Sequence, residues 1–367
     1  MKNIFIIGNG FDLAHGYNTD YASFIFNLID TFIEKEKYDN DFFIVKEFSI
    51  NYVVKKVKSG VEYSQNLRLD SIKFKSILLE IKHDFINKIL KDIAEKKWCD
   101  IEVIYYESLK KTKEPEKLND VLTQLKNELE KYLCQFNKEQ NAIAEFSLFF
   151  EKIGKGRDNL VLNFNYTNTF DRLYNKNKRF KVLNFHGQLN SKTNPIIFGY
   201  APTEEETKLL IDKNDNEYLK NIKRYYYKQT NNENKLYGFL GSKDTSNESV
   251  YNNNEVNVFV IGHSCGVSDR KILNDIFTYN SNVKNINIMY YKDYQGYFDT
   301  LVNIDRIIGD ESEYGVIRNF ELSLQAPQYD DSDQLKDKFN EKIIQLVNDL
   351  PTKRIKEPLT KSSTGLF

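Results

Sequence analysis

Residues 4–7, Ile-Phe-Ile-Ile, run without a break into Gly8-Asn9-Gly10-Phe11-Asp12. Four consecutive apolar residues bounded by glycine read as a strand buried on both faces, the signature of a parallel sheet covered by helices on either side. Gly8 and Gly10 permit a tight turn with exposed main chain, which can bring N–H groups and a helix N-terminus against an anion. The full dinucleotide fingerprint has a third glycine, and Leu13 stands in its place here; Ala14 or Gly16 would have to supply the small residue for helix–strand packing. The turn alone is equally consistent with an ordinary strand-to-helix connection.

Four further apolar runs look like strands of the same sheet: residues 160–164, 182–185, 258–261 and 286–291. A shorter run, 196–198, would pair at an edge. Helical periodicity between several of them predicts an α/β fold with a doubly wound, mostly parallel, Rossmann-like sheet. Residues 1–24 and 159–325 would form this core. Residues 25–158 read as a mostly helical insertion without sheet. Phe74, Ile77, Leu78, Ile81, Phe85 and Ile89 recur as on one helical face, and Leu118 to Phe136 do the same behind Pro115. Residues 202–256 are charged and asparagine-rich, a polar insertion in the core with one short helix over 208–223. Residues 326–367 supply a C-terminal helix near 334–348 and a frayed tail.

Hydrophobic residues make up 40% of the 367 and charged ones 29%, with 24 tyrosines and 26 phenylalanines, which describes a globular protein with an aromatic core. Lys and Arg number 52 against 53 Asp and Glu, so no basic footprint points to nucleic acid. Cys99, Cys134 and Cys265 form no Cys-x-x-Cys pair, and neither a disulfide framework nor a thiolate metal site is expected. No signal-type segment precedes the first run and no apolar run is long enough for a bilayer, so the expected location is the cytoplasm, away from membranes.

The polar motifs fall where such strands end, and ligands of open α/β sheets bind beyond those carboxyl ends. Asn163-Phe164-Asn165-Tyr166-Thr167-Asn168-Thr169 offers amides and hydroxyls; Asn165 suits a ribose hydroxyl or a positioned water, while Thr167, Asn168 and Thr169 read as helix-capping residues. His186-Gly187 places an imidazole, able to act as a general base, at a strand end. Gly262-His263-Ser264-Cys265-Gly266 matches a nucleophile elbow, but no histidine follows His263, so the hydrolase triad has no base in the expected order. That loop reads instead as a phosphate or ribose contact through Ser264, with Asp269 capping the next helix or holding a hydroxyl. Cys265 reads as buried filler.

Taken together, Gly8 to Gly16 with Tyr21, Asn163 to Thr167, His186-Gly187, and Gly262-His263-Ser264 with Asp269 resemble the AbiH family of bacterial abortive-infection proteins. That pattern is in turn similar to a distant sirtuin-like NAD-binding domain, with Gly16, Asp20 and Tyr21 following the first turn. The resemblance implies Asn165 and His186 as catalytic residues, and NAD as substrate or ligand. With Asp12 they form the candidate catalytic set; Gly8, Asn9, Gly10, Phe11, His15, Gly262, Ser264 and Asp269 form the candidate nucleotide-binding set, and no metal is expected. Defence proteins of this kind commonly hydrolyse NAD+, which implies an anti-phage glycohydrolase, with a nucleotide sensor or a nuclease-type toxin as alternatives. A phage-derived activator and self-association would fit that role. Sirtuin-like proteins differ at Asn9 and Asp12, have an aspartate where Thr167 stands, and carry zinc-binding cysteines when they deacylate proteins. A carboxylate at Asp12 would repel a pyrophosphate; facing the ribose, it could stabilise an oxocarbenium ion.

Overall fold

The computed structural model describes residues 2–350 except 51–52, 58–65, 97–98, 137–140, 242–254, 279–282 and 310–314. Ten strands are described: β1 Lys2–Ile7, β2 Phe43–Ile50, β3 Val53–Lys56, β4 Asn66–Leu69, β5 Lys75–Ile81, β6 Asp158–Asn163, β7 Lys181–Asn184, β8 Val256–Ile261, β9 Val283–Met289 and β10 Val316–Ile317. Six of them form one sheet in the order β10-β9-β8-β1-β6-β7, and every pair is parallel. The chain builds outward from β1 through β6 and β7, then returns to β1's other side for β8, β9 and β10. The direction of winding therefore reverses at the β1–β8 junction, where α/β sheets open a crevice.

β1 is central because both of its faces are apolar. Ile4 and Ile6 join a core with the helices Arg270–Thr278 and Tyr294–Ile308, while Phe5 and Ile7 join another with Ala144–Gly154 and Asp333–Asp349. Phe5 stacks on Phe259 and meets Phe149, Phe150 and Phe180 edge-on, geometries that aromatic quadrupoles favour. A row of asparagines crosses four strands at one level: Asn285 donates to Asn257, Asn257 to Asn3, and Asn3 to Asn159. Each buried amide thereby finds a partner across the sheet, which ties the register of four strands together.

The segment between β1 and β6 contains sheet, contrary to the expectation of helices alone. β3-β2-β5-β4 form an antiparallel sheet that shares a core with the helices Tyr21–Glu34, Asp84–Lys96, Ile101–Lys111 and Pro115–Cys134. The apparent helical face from Phe74 to Ile89 is two elements joined end to end. Ile77, Leu79 and Ile81 are buried at strand period, then Phe85 and Ile89 at helical period. The helix behind Pro115 forms as expected, with the proline in its first turn.

Residues 196–198 are not a strand; the Ile197 N–H donates to the His186 carbonyl just beyond β7, and β7 and β10 form the two edges of the sheet. The described part of the polar insertion is well packed. Its helices are Glu204–Ile211, closed by a Thr203/Glu206 capping box, Lys223–Tyr227 and Asn232–Leu240, rather than one over 208–223. Leu210, Tyr218 and Ile222 enter the core of the antiparallel unit, and Tyr227, Leu236 and Leu240 enter that of the parallel sheet. The segment thus straps the two units together. The serine- and threonine-rich stretch 245–249 and the tail from 353 lie outside the described residues. The C-terminal helix is Asp333–Asp349. Among the described residues no helix is long and apolar enough to cross a membrane.

Candidate functional site

Two glycine turns meet at the winding reversal. The Gly10 N–H donates to the Gly262 carbonyl at 2.7 Å, and the Gly8 N–H donates to the Ile261 carbonyl at 3.1 Å. A Cβ on Gly10 would lie 2.8 Å from the Gly262 Cα, and one on Gly8 would lie 2.6 Å from the His263 Cα. These glycines are there so that the ends of β1 and β8 can touch. The Gly10 amide is occupied by protein, and the helix that follows, Asn9–Ala14, has only six residues. The turn therefore offers an anion much less than its sequence suggests.

That short helix presents Asp12 inward. Asp12 is 1% exposed; its Oδ2 accepts from the Thr167 hydroxyl at 2.6 Å, and its Oδ1 has no hydrogen-bond partner. Burial pushes the carboxyl up to about 6, against the opposing pull of the Thr167 and Thr169 hydroxyls, Arg172 and Asn165. Thr167 is thus an Asp12 partner rather than a helix cap, and Asn168, which does occupy the cap position, makes no side-chain cap bond. Asn165 is buried beside them. Its Nδ2 donates to the Gly8 carbonyl and its N–H donates to Asn163 Oδ1, which turns the side-chain carbonyl into its remaining acceptor.

Opposite lies a network of buried charges. His186 Nε2 donates to Asp269 Oδ1 at 2.7 Å, so the neutral ring keeps its lone pair on Nδ1. Gly187 follows at φ 81°, where a side chain would run into the Pro195 carbonyl, so the loop after His186 can turn this tightly only with glycine. Lys223, 0% exposed, reaches the same carboxylate oxygen at 3.0 Å and Glu102 Oε2 at 2.8 Å; its Nζ is 3.3 Å from His186 Nε2. Glu102 Oε1 accepts the Gly199 N–H. His263 Nε2 lies 3.6 Å from the other oxygen of Asp269, while its Nδ1 accepts the Cys265 N–H.

Burial alone would raise Asp269, but His186 and Lys223 hold it well below the usual carboxylate range. Burial alone would lower Lys223, but Asp269 and Glu102 hold it above its ordinary value. Burial, opposed by Asp269 and assisted by Lys223, keeps His186 below its ordinary value and therefore neutral near pH 7. Burial pushes Glu102 up, with Lys223 pulling the other way.

Both groups of residues open into one cleft of about 540 Å³, a size that holds a cofactor-sized molecule. Gly8, Asn9, Gly10, Asp12, Asn165, His186, Gly262, Ser264 and Asp269 all line it, so eleven positions scattered over the sequence motifs reduce to nine at one place. Phe11 and His15 do not. Phe11 packs against Phe146 and Tyr174, and His15 is buried with Nδ1 on the Phe11 carbonyl and Nε2 on the Tyr174 hydroxyl. Both belong to the aromatic core, and burial lowers His15 to about 4. Lys223 and Glu102, the centre of the charged network, were not among the expected residues. Cys265 is buried at φ 53°, as filler in the turn. Among the described residues no group of three or more His, Cys, Asp or Glu is arranged to hold a metal ion.

The family model described as bacteriophage abortive infection AbiH matches residues 4–292, a span that contains every residue of the cleft discussed above. The chain belongs to the AbiH family, and its function lies in bacteriophage abortive infection. No curated protein and no solved structure matches it.

Proposed function

We propose that this AbiH protein hydrolyses the nicotinamide–ribose bond of NAD+ or a related nucleotide, in a Rossmann-like, sirtuin-like cleft. The reading rests on one observation above all: a buried carboxylate with an unpartnered oxygen, Asp12, shares a cleft of cofactor size with a neutral histidine held by an aspartate. The strand order supports it, since β7-β6-β1-β8-β9-β10 is the doubly wound arrangement with the crevice at its reversal.

In this mechanism Asp12 faces the anomeric carbon and stabilises the positive charge that grows as nicotinamide departs with the bonding electron pair. Asn165 accepts a hydrogen bond from a ribose hydroxyl or from the attacking water. Water forms the new C–O bond and gives its proton to His186 Nδ1. Asp269 holds the ring in the required tautomer and stabilises the imidazolium. Lys223 keeps Asp269 ionised and in place. The Gly8–Gly10 turn is poorly placed to hold the pyrophosphate, because the Gly10 N–H is bonded to Gly262. A nuclease-type toxin is less favoured because Lys223 already engages Asp269, and His15 lies in the aromatic core, away from Asp12's cleft. The phage-derived activator and self-association remain part of the proposal.

Incubation of the purified protein with NAD+, with nicotinamide followed by chromatography, is the test. Release by the wild-type protein should fall by about 10²-fold or more in His186→Ala. Undiminished release by that variant, or none from the wild type with phage components added, would overturn the reading. Tight NAD+ binding without turnover would point to a sensor, the reading that the closed Lys223 network favours.

A further inference from the structure

Five carboxylates line the cleft, Asp12, Asp20, Asp100, Glu102 and Asp269, and among the described residues that line it there is no lysine or arginine. Lys223 lies behind this wall and is engaged by Glu102 and Asp269. Arg172, which faces Asp12, donates to the Tyr17 hydroxyl. Asp20 and Asp100 cap the helices Tyr21–Glu34 and Ile101–Lys111 through the Ser23 and Val103 N–H groups, and the Ser23 hydroxyl donates to the second oxygen of Asp20, all without adding a positive side chain. Asp12 adds a buried oxygen, Oδ1, that makes no close hydrogen bond, although Thr169, Asn165 and Arg172 lie near enough to the carboxyl to pull it down. Neutral polar side chains also line the cleft: Ser264, Ser268, Thr300 and Gln328.

We propose that the cleft selects a cationic N-riboside, a ribose bearing a quaternary pyridinium ring, by charge, and that it does so without holding a phosphate. The inference rests on the hydrolase reading for the riboside class and on the lining for the charge. A phosphate set beside Asp12, Asp20 and Asp100 would be repelled, and the Gly10 amide suited to it is taken by Gly262. A fixed positive ring gains from Asp12, and Phe164 and Tyr166, which flank Asn165, add aromatic surface to the lining. The neutral hydroxyls and amide of the lining suit sugar hydroxyls. The whole dinucleotide would then be accepted for its cationic end, with its phosphates directed to solvent.

The experiment compares nicotinamide riboside, its neutral dihydro form and NAD+ by calorimetry on the full chain at pH 7.5. The pyridinium is charged at every pH, so differences report the protein. The cationic riboside should bind, and the dihydro form should bind weaker by about tenfold or more. Asp12→Asn should shrink that ratio towards one. Equal binding of the two ribosides, or binding of NAD+ but neither riboside, would overturn the proposal. The two readings fail separately: nicotinamide release from NAD+ without riboside binding sinks only this one, and charge-selective riboside binding without release sinks only the hydrolase.

Discussion

The two sides of the cleft solve the problem of buried charge in opposite ways. Around His186, buried charges pair with one another: Asp269 Oδ1 accepts from His186 and Lys223, and Glu102 accepts from Lys223 and the Gly199 N–H. On the β1 side, Asp12 keeps one oxygen without any partner, and its carboxyl is pushed up to about 6. A saturated network holds its shape and gains nothing from a ligand. An unsatisfied buried carboxylate costs stability and is relieved by a ligand that brings positive charge. In the proposed reading the first side is framework and base, and the second is where a ligand gains binding energy.

Removal of a central charge should separate the two sides most sharply. Lys223→Met leaves Asp269 and Glu102 facing each other in a buried site, and should lower unfolding free energy by about 3–5 kcal/mol in urea titrations. A loss below about 1 kcal/mol would mean the network is not saturated as described.

Asp12→Asn should have the opposite sign. A carboxyl whose folded value lies above its unfolded one favours the folded state when protonated, and that contribution is lost as pH rises from about 4 to about 6. The wild type should therefore lose stability across that window, by about 2–3 kcal/mol from this group. Asp12→Asn should flatten the slope and be more stable than wild type at pH 7. A less stable variant, or an unchanged slope, would show that Asp12 is satisfied after all.

The smallest effect is spectroscopic. The chain has four histidines, so each can be followed by NMR. His186 should stay neutral to below its ordinary value in the wild type, and should titrate at higher pH in a folded Lys223→Gln variant, because the opposing ammonium is gone. An unmoved His186 would uncouple Lys223 from the base.

The sequence made the parallel sheet readable because runs such as 4–7 and 258–261 are apolar on both faces. It hid the antiparallel sheet: β3, like β10, is short with exposed side chains, while β5 runs into a helix, so that its buried residues read as part of one helical face. The Asp12, Asn165, His186 and Asp269 positions were readable because each follows a strand that ends at the same edge. Lys223 was not, since its burial depends on partners at 102, 186 and 269, and nothing in Ile222-Lys223-Arg224 distinguishes it from a solvated lysine. Phe11 and His15 misled for the converse reason: they sit in the glycine motif, but Phe146 and Tyr174, remote in sequence, draw them into the core.

The central claim is that Asp12 is held, unsatisfied, for a positive charge that develops on a bound riboside. Nicotinamide release from NAD+ by wild type and Asp12→Asn, measured beside their unfolding free energies, tests it most directly. The account predicts a variant more stable than wild type that releases nicotinamide slower by about 10²-fold or more. A variant that is stabilised and releases nicotinamide at the wild-type rate would contradict it.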